Sequence, residues 1–225
     1  MALSLKTVAQ NCFGKSPPLS MRRNVFGFYS NPDLELSLRR QLGLALGEGL
    51  NLNLILVAEE NFTWPDIEEV QYAVQYMRNI YDDVNICVRR IRWQAISASD
   101  AGGYATIDSG SEAFDLTDDW NGPDGGYLDV FIVRNMTGGA VGWSTVDSPC
   151  SKDDKDEMTG TVVSIHGNRN LSGIAFAHEA GHYLGLNHHS SAGNFMHASS
   201  GGGNTGITSS QGSTMRSHCY VRDIC

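Results

Sequence analysis

Three histidines and one glutamate carry the most explicit chemistry in this chain. They stand in the run His178-Glu179-Ala180-Gly181-His182-Tyr183-Leu184-Gly185-Leu186-Asn187-His188. Residues four apart share one face of an α-helix, so His178 and His182 can aim two imidazoles at a single cation. Glu179 would project beside such an ion rather than onto it, where a carboxylate can take a proton from a water molecule. Gly185 lacks a Cβ, which lets a helix end in a left-handed turn. That reversal can bring His188 back as a third ligand. Imidazoles suit zinc, and three protein ligands with one open position make a catalytic site, whereas a structural site is closed by four. The spacing H-E-x-x-H-x-x-G-x-x-H is accordingly a pattern of zinc-dependent hydrolysis. A metal-free amphipathic helix would also accommodate the first histidines, but it gives Gly185 and His188 no purpose.

Such a helix needs a scaffold. Ser172 is its expected N-cap, and Ile174, Ala175, Ala177 and Leu184 supply a buried face of mostly small residues. Upstream, Leu52 to Ala58 is apolar and reads as a buried strand. Thr63-Trp64-Pro65-Asp66 then opens a helix: Thr63 can cap, Pro65 suits a first turn, and Asp66 faces the free amides. Ile67, Val70, Val74, Met77 and Tyr81 give that helix one apolar face. Further strands are expected at Ile86 to Trp93, Leu128 to Arg134 and Thr161 to His166, with Arg89, Arg90 and Arg92 forming a solvated strand face. Gly138 to Ser144 is rich in small residues, as expected of a strand that another backbone approaches closely. Asp147 to Glu157, which includes Cys150, reads as a surface loop. Thr208-Ser209-Ser210-Gln211 is a capping box opening a last helix through Met215 and His218.

The stretch 97 to 126, rich in Ser, Gly and Asp, reads as a long loop. Its Asp108, Asp115, Asp118, Asp119 and Asp124 offer oxygen ligands, which makes Ca2+ a second candidate cation, although EF-hand spacing is absent. Residues 1–49 show no clear periodicity beyond a candidate helix at Leu34 to Leu46.

With 225 residues the chain can bury a substantial core in one domain, here 50–225, with 1–49 as an N-terminal extension. A net charge of -9 argues against a nucleic-acid partner, which would demand a basic face. The longest apolar run, near residues 52 to 58, is far too short to cross a bilayer, so no transmembrane segment is expected. Residues 1 to 18 lack the continuous apolar core of a signal peptide. Cys12, Cys87, Cys150, Cys219 and Cys225 are odd in number; Cys219 could pair with Cys225 or with Cys150.

Past the zinc motif comes Asn194-Phe195-Met196-His197. Together the two stretches resemble the metzincin zinc metallopeptidases, and the likeness extends over about residues 50 to 220. It implies an α/β fold: a twisted, mostly parallel sheet, a zinc-binding active-site helix, an antiparallel edge strand and an irregular C-terminal part ending in a helix. It implies further that Met196 forms a methionine turn packed beneath the ligands, and that Gly139, Ala140, Val141 and Gly142 bind peptide substrate by strand addition. The implied activity is zinc-dependent endopeptidase action on peptides or proteins, with Glu179 as general base, and the family likeness points to secretion. The Gly-rich run 197 to 206 would border the cleft. Some relatives use a prosegment cysteine to cap the zinc, and 1–49 is a candidate prosegment, but Asn11-Cys12-Phe13-Gly14 shows none of that motif. His189 after the third ligand, and Ala198 two residues past Met196, leave the branch within the group open. A silent zinc-binding protein that holds a peptide, or a hydrolase of another amide, would share the motif; an intact Glu179 argues against the former.

Overall fold

A computed structural model describes residues 48–122, 125–154, 156–199, 201 and 203–223. Cys12, the candidate helix Leu34 to Leu46, Asp124 and Cys225 lie outside the described residues.

Alternation in one strand decides the layering. In β1 (Glu48–Val57), Leu50, Leu52, Leu54 and Leu56 join one buried cluster while Ile55 and Val57 join another. Successive side chains of a strand point to opposite faces, so β1 is buried on both sides. The strand begins at Glu48, ahead of the expected Leu52. Next comes α1 (Trp64–Asp82), where the Asp66 carboxylate accepts from the Thr63 backbone N–H at 2.8 Å and from its hydroxyl at 2.7 Å. The predicted face, Ile67, Val70, Val74, Met77 and Tyr81, is buried.

β2 (Ile86–Ile96) lies parallel to β1 at one side of the sheet. The expectation of a solvated arginine face fails at Arg89, which is buried with its side chain against Gly49, where a Cβ would come within 2.7 Å of it. Arg90 and Arg92 are exposed, and the Arg92 guanidinium lies 3.7 Å from the centre of the Tyr127 ring.

The stretch read as a long loop is instead largely structured. It holds α2 (Ala98–Ala101), a 3-10 turn at Gly102–Ala105, β3 (Thr106–Ile107) and α3 (Gly110–Asp119). Ser109 caps α3 by accepting from the Glu112 N–H at 3.2 Å, and Ala113 and Leu116 are buried. Polar residues that mimic loop composition are here capping residues.

β4 (Tyr127–Val133) pairs parallel with β1, and the short β5 (Asn135–Met136) with β3. β6 (Gly142–Trp143) is antiparallel to β7 (Gly160–Ser164), which runs parallel to β4. The expected strand 138–144 thus survives only as two residues, since Gly138 and Gly139 turn at φ 70° and 79°. The sheet order is β2-β1-β4-β7-β6. α4 (Arg169–Tyr183) and α5 (Ser209–Ser217) follow, and β8 (Arg222–Asp223) pairs antiparallel with the start of β1. This is the expected α/β sheet with its antiparallel edge. One cluster lies between the sheet and α1, α4 and α5; the other lies under α3.

The loop after β6 is less superficial than expected, since Ser148 and Lys152 are buried. Its Cys150 forms a disulfide with Cys219. Among the described residues no helix is long and apolar enough to cross a membrane.

Candidate active site

The helix that carries the motif is tied down by tertiary contacts. Its N-cap is Asn168, whose side chain accepts from the Leu171 N–H at 3.3 Å, and not Ser172 as expected. Ser172 lies inside α4, where its hydroxyl donates to the Glu69 carboxylate of α1 at 2.5 Å. The partner 103 residues away explains the difference. Small residues then let α1 and α4 approach: a Cβ at Gly173 would fall 2.5 Å from Tyr76. The Tyr81 hydroxyl also donates to the Ala177 carbonyl at 2.8 Å.

α4 ends as the motif demands. Gly185 has φ 95°, and the Leu186 N–H returns to the Gly181 carbonyl at 2.9 Å. The reversal brings His188 to the other two rings. Nε2 of His182 stands 3.0 Å from Nε2 of His178 and 3.2 Å from Nε2 of His188. His178 Nδ1 donates to the Phe195 carbonyl at 2.8 Å, and His182 Nδ1 to the Leu186 carbonyl at 2.7 Å. With the protons on Nδ1, both Nε2 atoms present lone pairs to the centre of the group. Lone pairs so close repel unless a cation lies among them.

The spacing fits zinc. Ligands about 2.0–2.1 Å from a tetrahedral ion stand roughly 3.3 Å apart. Burial, with the neighbouring His178 adding to it, lowers the pKa of His182 to about 4, so its ring is neutral at physiological pH. Burial lowers the pKa of His178 as well. Neutral imidazoles are the form that binds metal. Burial also pushes the Glu179 carboxyl up to about 8. A cation beside that carboxyl would favour its ionised form.

Met196 packs against α4 between His178 and His182. A Cβ at Gly181, between the two helical histidines, would come within 2.6 Å of the Met196 sulfur, so the glycine is what admits the methionine. This segment is joined to the loop after α4 by the His189 N–H, which donates to the Met196 carbonyl at 2.8 Å.

Gly142 explains the other small-residue requirement. A Cβ there would fall 2.3 Å from Glu179 Cγ, so what approaches is the carboxylate side chain, not a second backbone. The chain around Gly142 is tied to β7 on one side and, through the loop after β6, to the end of α4. Val141 offers its carbonyl to the Ser164 N–H at 3.1 Å, while the Asp147 and Ser148 amides donate to the His182 and Tyr183 carbonyls at 3.0 and 3.1 Å.

These elements enclose a cleft of about 400 Å3. Gly139, Ala140, Val141 and Gly142 line it together with His178, Glu179, His182 and His188. Trp143, Ser144 and Leu171 also line it and were given no site role from sequence, whereas Ala198 and Ser199 belong to the run 197 to 206 expected to border the cleft. The carbonyls of Phe195 and Leu186 were missed too, because a backbone acceptor leaves no mark on residue type. His189 and His197 do not line the cleft.

Among the described residues, Asp108, Asp115, Asp118 and Asp119 do not gather into a metal-binding group. Cys150, His218 and Cys219 do converge, but the disulfide occupies both sulfurs.

No relative was found among curated proteins. Of solved structures, metalloproteinase-II from Bacteroides fragilis is 14% identical over 74% of this chain and 52% of its own, with a TM-score of 0.50. A chain in the structure of a chaperone-substrate complex is 17% identical over 64% of this chain and 25% of its own, at a TM-score of 0.47. The protein thus spans about half of the former and a quarter of the latter, and the former likeness concerns the fold alone. The model of the metallo-peptidase family M12B, reprolysin-like, matches residues 69–222, and the chain therefore belongs to that family of metzincin-type zinc metallopeptidases.

Proposed function

We propose that the protein is a zinc-dependent endopeptidase whose metal ligands are His178, His182 and His188 and whose general base is Glu179. The observation that carries this reading is the convergence of three imidazole Nε2 atoms, two of them fixed as lone-pair donors by backbone carbonyls, beside one buried carboxylate. Zinc held there supplies a Lewis acid and makes water acidic enough to yield a nucleophile near neutral pH. Glu179 takes the proton from the attacking water and passes it to the leaving amine. The Phe195 and Leu186 carbonyls keep the His178 and His182 rings in the tautomer that donates lone pairs inward. Met196 provides the floor that keeps the rings from dropping away. The edge Gly139 to Gly142 aligns an extended peptide by strand addition, with the free side of β6 as template.

The decisive experiment is cleavage of a peptide library by the zinc-loaded chain with and without a chelator, beside Glu179→Gln. Wild type should cleave in a chelator-sensitive manner. The variant should keep one equivalent of zinc by metal analysis and lose turnover. Cleavage by Glu179→Gln at the wild-type rate would overturn the general-base assignment.

A further inference from the structure

Four large apolar side chains stand out as exposed among the described residues: Trp64, Trp120, Trp143 and Val146. Only Trp143 also lines the catalytic cleft, and it is 39% exposed there. An indole exposed at the mouth of a cleft offers apolar surface that a bound ligand can cover.

Its direction follows from strand alternation. Gly142 pairs with Val163, which belongs to the core under α1 and α4, and the Cβ direction of Gly142 runs into Glu179. Trp143 pairs with Val162, which belongs to the core under α3. The indole therefore leaves β6 on the face opposite Glu179. There it rests on the first turn of α3, where a Cβ at Gly110 would stand 3.3 Å from Cε3 and Cζ3 of the ring. The missing side chain at Gly110 lets the ring lie against the helix. A backed aromatic ring is a pre-formed surface, and binding costs it little side-chain entropy.

A peptide added to the free edge of β6 alternates in the same way. The residue across from Gly142 faces Glu179 and the histidines; its neighbour, across from Trp143, faces the indole. The residues that precede Trp143 along the cleft, Gly139, Ala140, Val141 and Gly142, are uncharged, and the ring itself offers an apolar face. We infer that Trp143 is a specificity-determining residue: its indole receives an apolar, preferentially aromatic, side chain of the peptide at the position directly across from it. The inference rests on the reading of the cleft as a peptide site.

The test uses the zinc-loaded full chain in two forms, wild type for library cleavage and Glu179→Gln for peptide binding by calorimetry. Both should favour Phe, Tyr or Leu over Asp, Lys or Gly at one position beside the scissile bond. Trp143→Ala should weaken that preference by about fivefold to tenfold, and Trp143→Phe should keep most of it. Zinc content and circular dichroism verify that each variant is folded. Unchanged selectivity of Trp143→Ala in both assays overturns the assignment, even with chelator-sensitive cleavage intact. Binding that depends on Trp143, without any cleavage by wild type, would retain the assignment and remove the peptidase reading. Neither cleavage nor binding would remove both.

Discussion

Asn194 and Gln211 face each other amide to amide, each donating to the other at 2.8 and 2.9 Å, and both are buried. The pair joins the turn Asn194 to His197 to the first turn of α5. The Asn194 side-chain oxygen also accepts from the Met196 N–H at 2.9 Å, and the Gln211 oxygen from the Thr208 N–H at 2.9 Å. Between these two lies Phe195, whose carbonyl orients His178. A helix cap thus reaches the candidate metal site through two side chains.

Gln211→Ala should therefore weaken metal binding although Gln211 touches no ligand. It removes both hydrogen bonds between the two amides and leaves Asn194 Nδ2 buried without its acceptor, which costs about 1–3 kcal/mol of stability. Zinc affinity, measured by competition with a chelating dye, should fall by about tenfold, the lower end of the effect of losing an outer hydrogen bond at a metal site. Saturating zinc should restore part of the melting temperature, because an ion bound only by the folded state stabilises it by mass action. Unaltered affinity would separate the clasp from the site.

The ion pair beneath the sheet makes a different prediction. Lys152 Nζ lies 3.0 Å from Asp129, with side chains 4% and 1% exposed, and it donates to the Thr159 carbonyl at 2.6 Å. Asp129 also accepts from Asn53 Nδ2 at 2.7 Å and the Gly122 N–H at 2.6 Å. Lys152→Ala strands a buried carboxylate, so unfolding free energy should fall by about 3–5 kcal/mol. Urea denaturation at low and high salt should give the same loss, since buried pairs are little screened. A loss below about 1 kcal/mol would place the pair with ordinary surface bridges.

The disulfide closes the loop from Cys150 to Cys219, a separation of 69 residues. For a loop of that length the chain-entropy model gives about 4 kcal/mol. Cys219→Ser should show that loss in urea, reductant should bring wild type down to the same value, and the variant itself should not respond to reductant. A wild type indifferent to reductant would contradict the pairing.

What could be read beforehand, and what could not, divides along physical lines. The convergence of His178, His182 and His188 was legible because ligand chemistry restricts both residue type and spacing, and Gly185 because a left-handed φ, here 95°, allows the reversal. Central strands and α1 were legible because burial imposes period on them. Ser172 was misread because its hydroxyl serves Glu69, a partner that sequence distance hides. Arg89 was misread because burial of a long side chain depends on what covers it. α3 carries a local signal of its own: Ser109-Gly110-Ser111-Glu112 has capping-box spacing, and the Glu112 carboxylate accepts from the Asp108 N–H at 2.6 Å. The brevity of β6 had no signal at all, since glycines suit a strand edge and a turn alike.

Gly142 offers the sharpest separation of structure from chemistry. Its backbone sits in the edge strand, and its missing side chain is the space that Glu179 fills, with Cγ only 2.3 Å from where a Cβ would be built. Adding that methyl forces the carboxylate aside without touching His178, His182 or His188. A displacement of about 1 Å at a reacting group can cost about a hundredfold in rate. Gly142→Ala should accordingly keep its equivalent of zinc and its fold while kcat falls by roughly that factor. KM should change much less, because the main-chain edge that aligns the peptide remains. Zinc content, a melting curve and steady-state kinetics on one peptide suffice to check it. If kcat were preserved, the carboxylate would have another place from which to act, and its assignment as the base would have to be reconsidered.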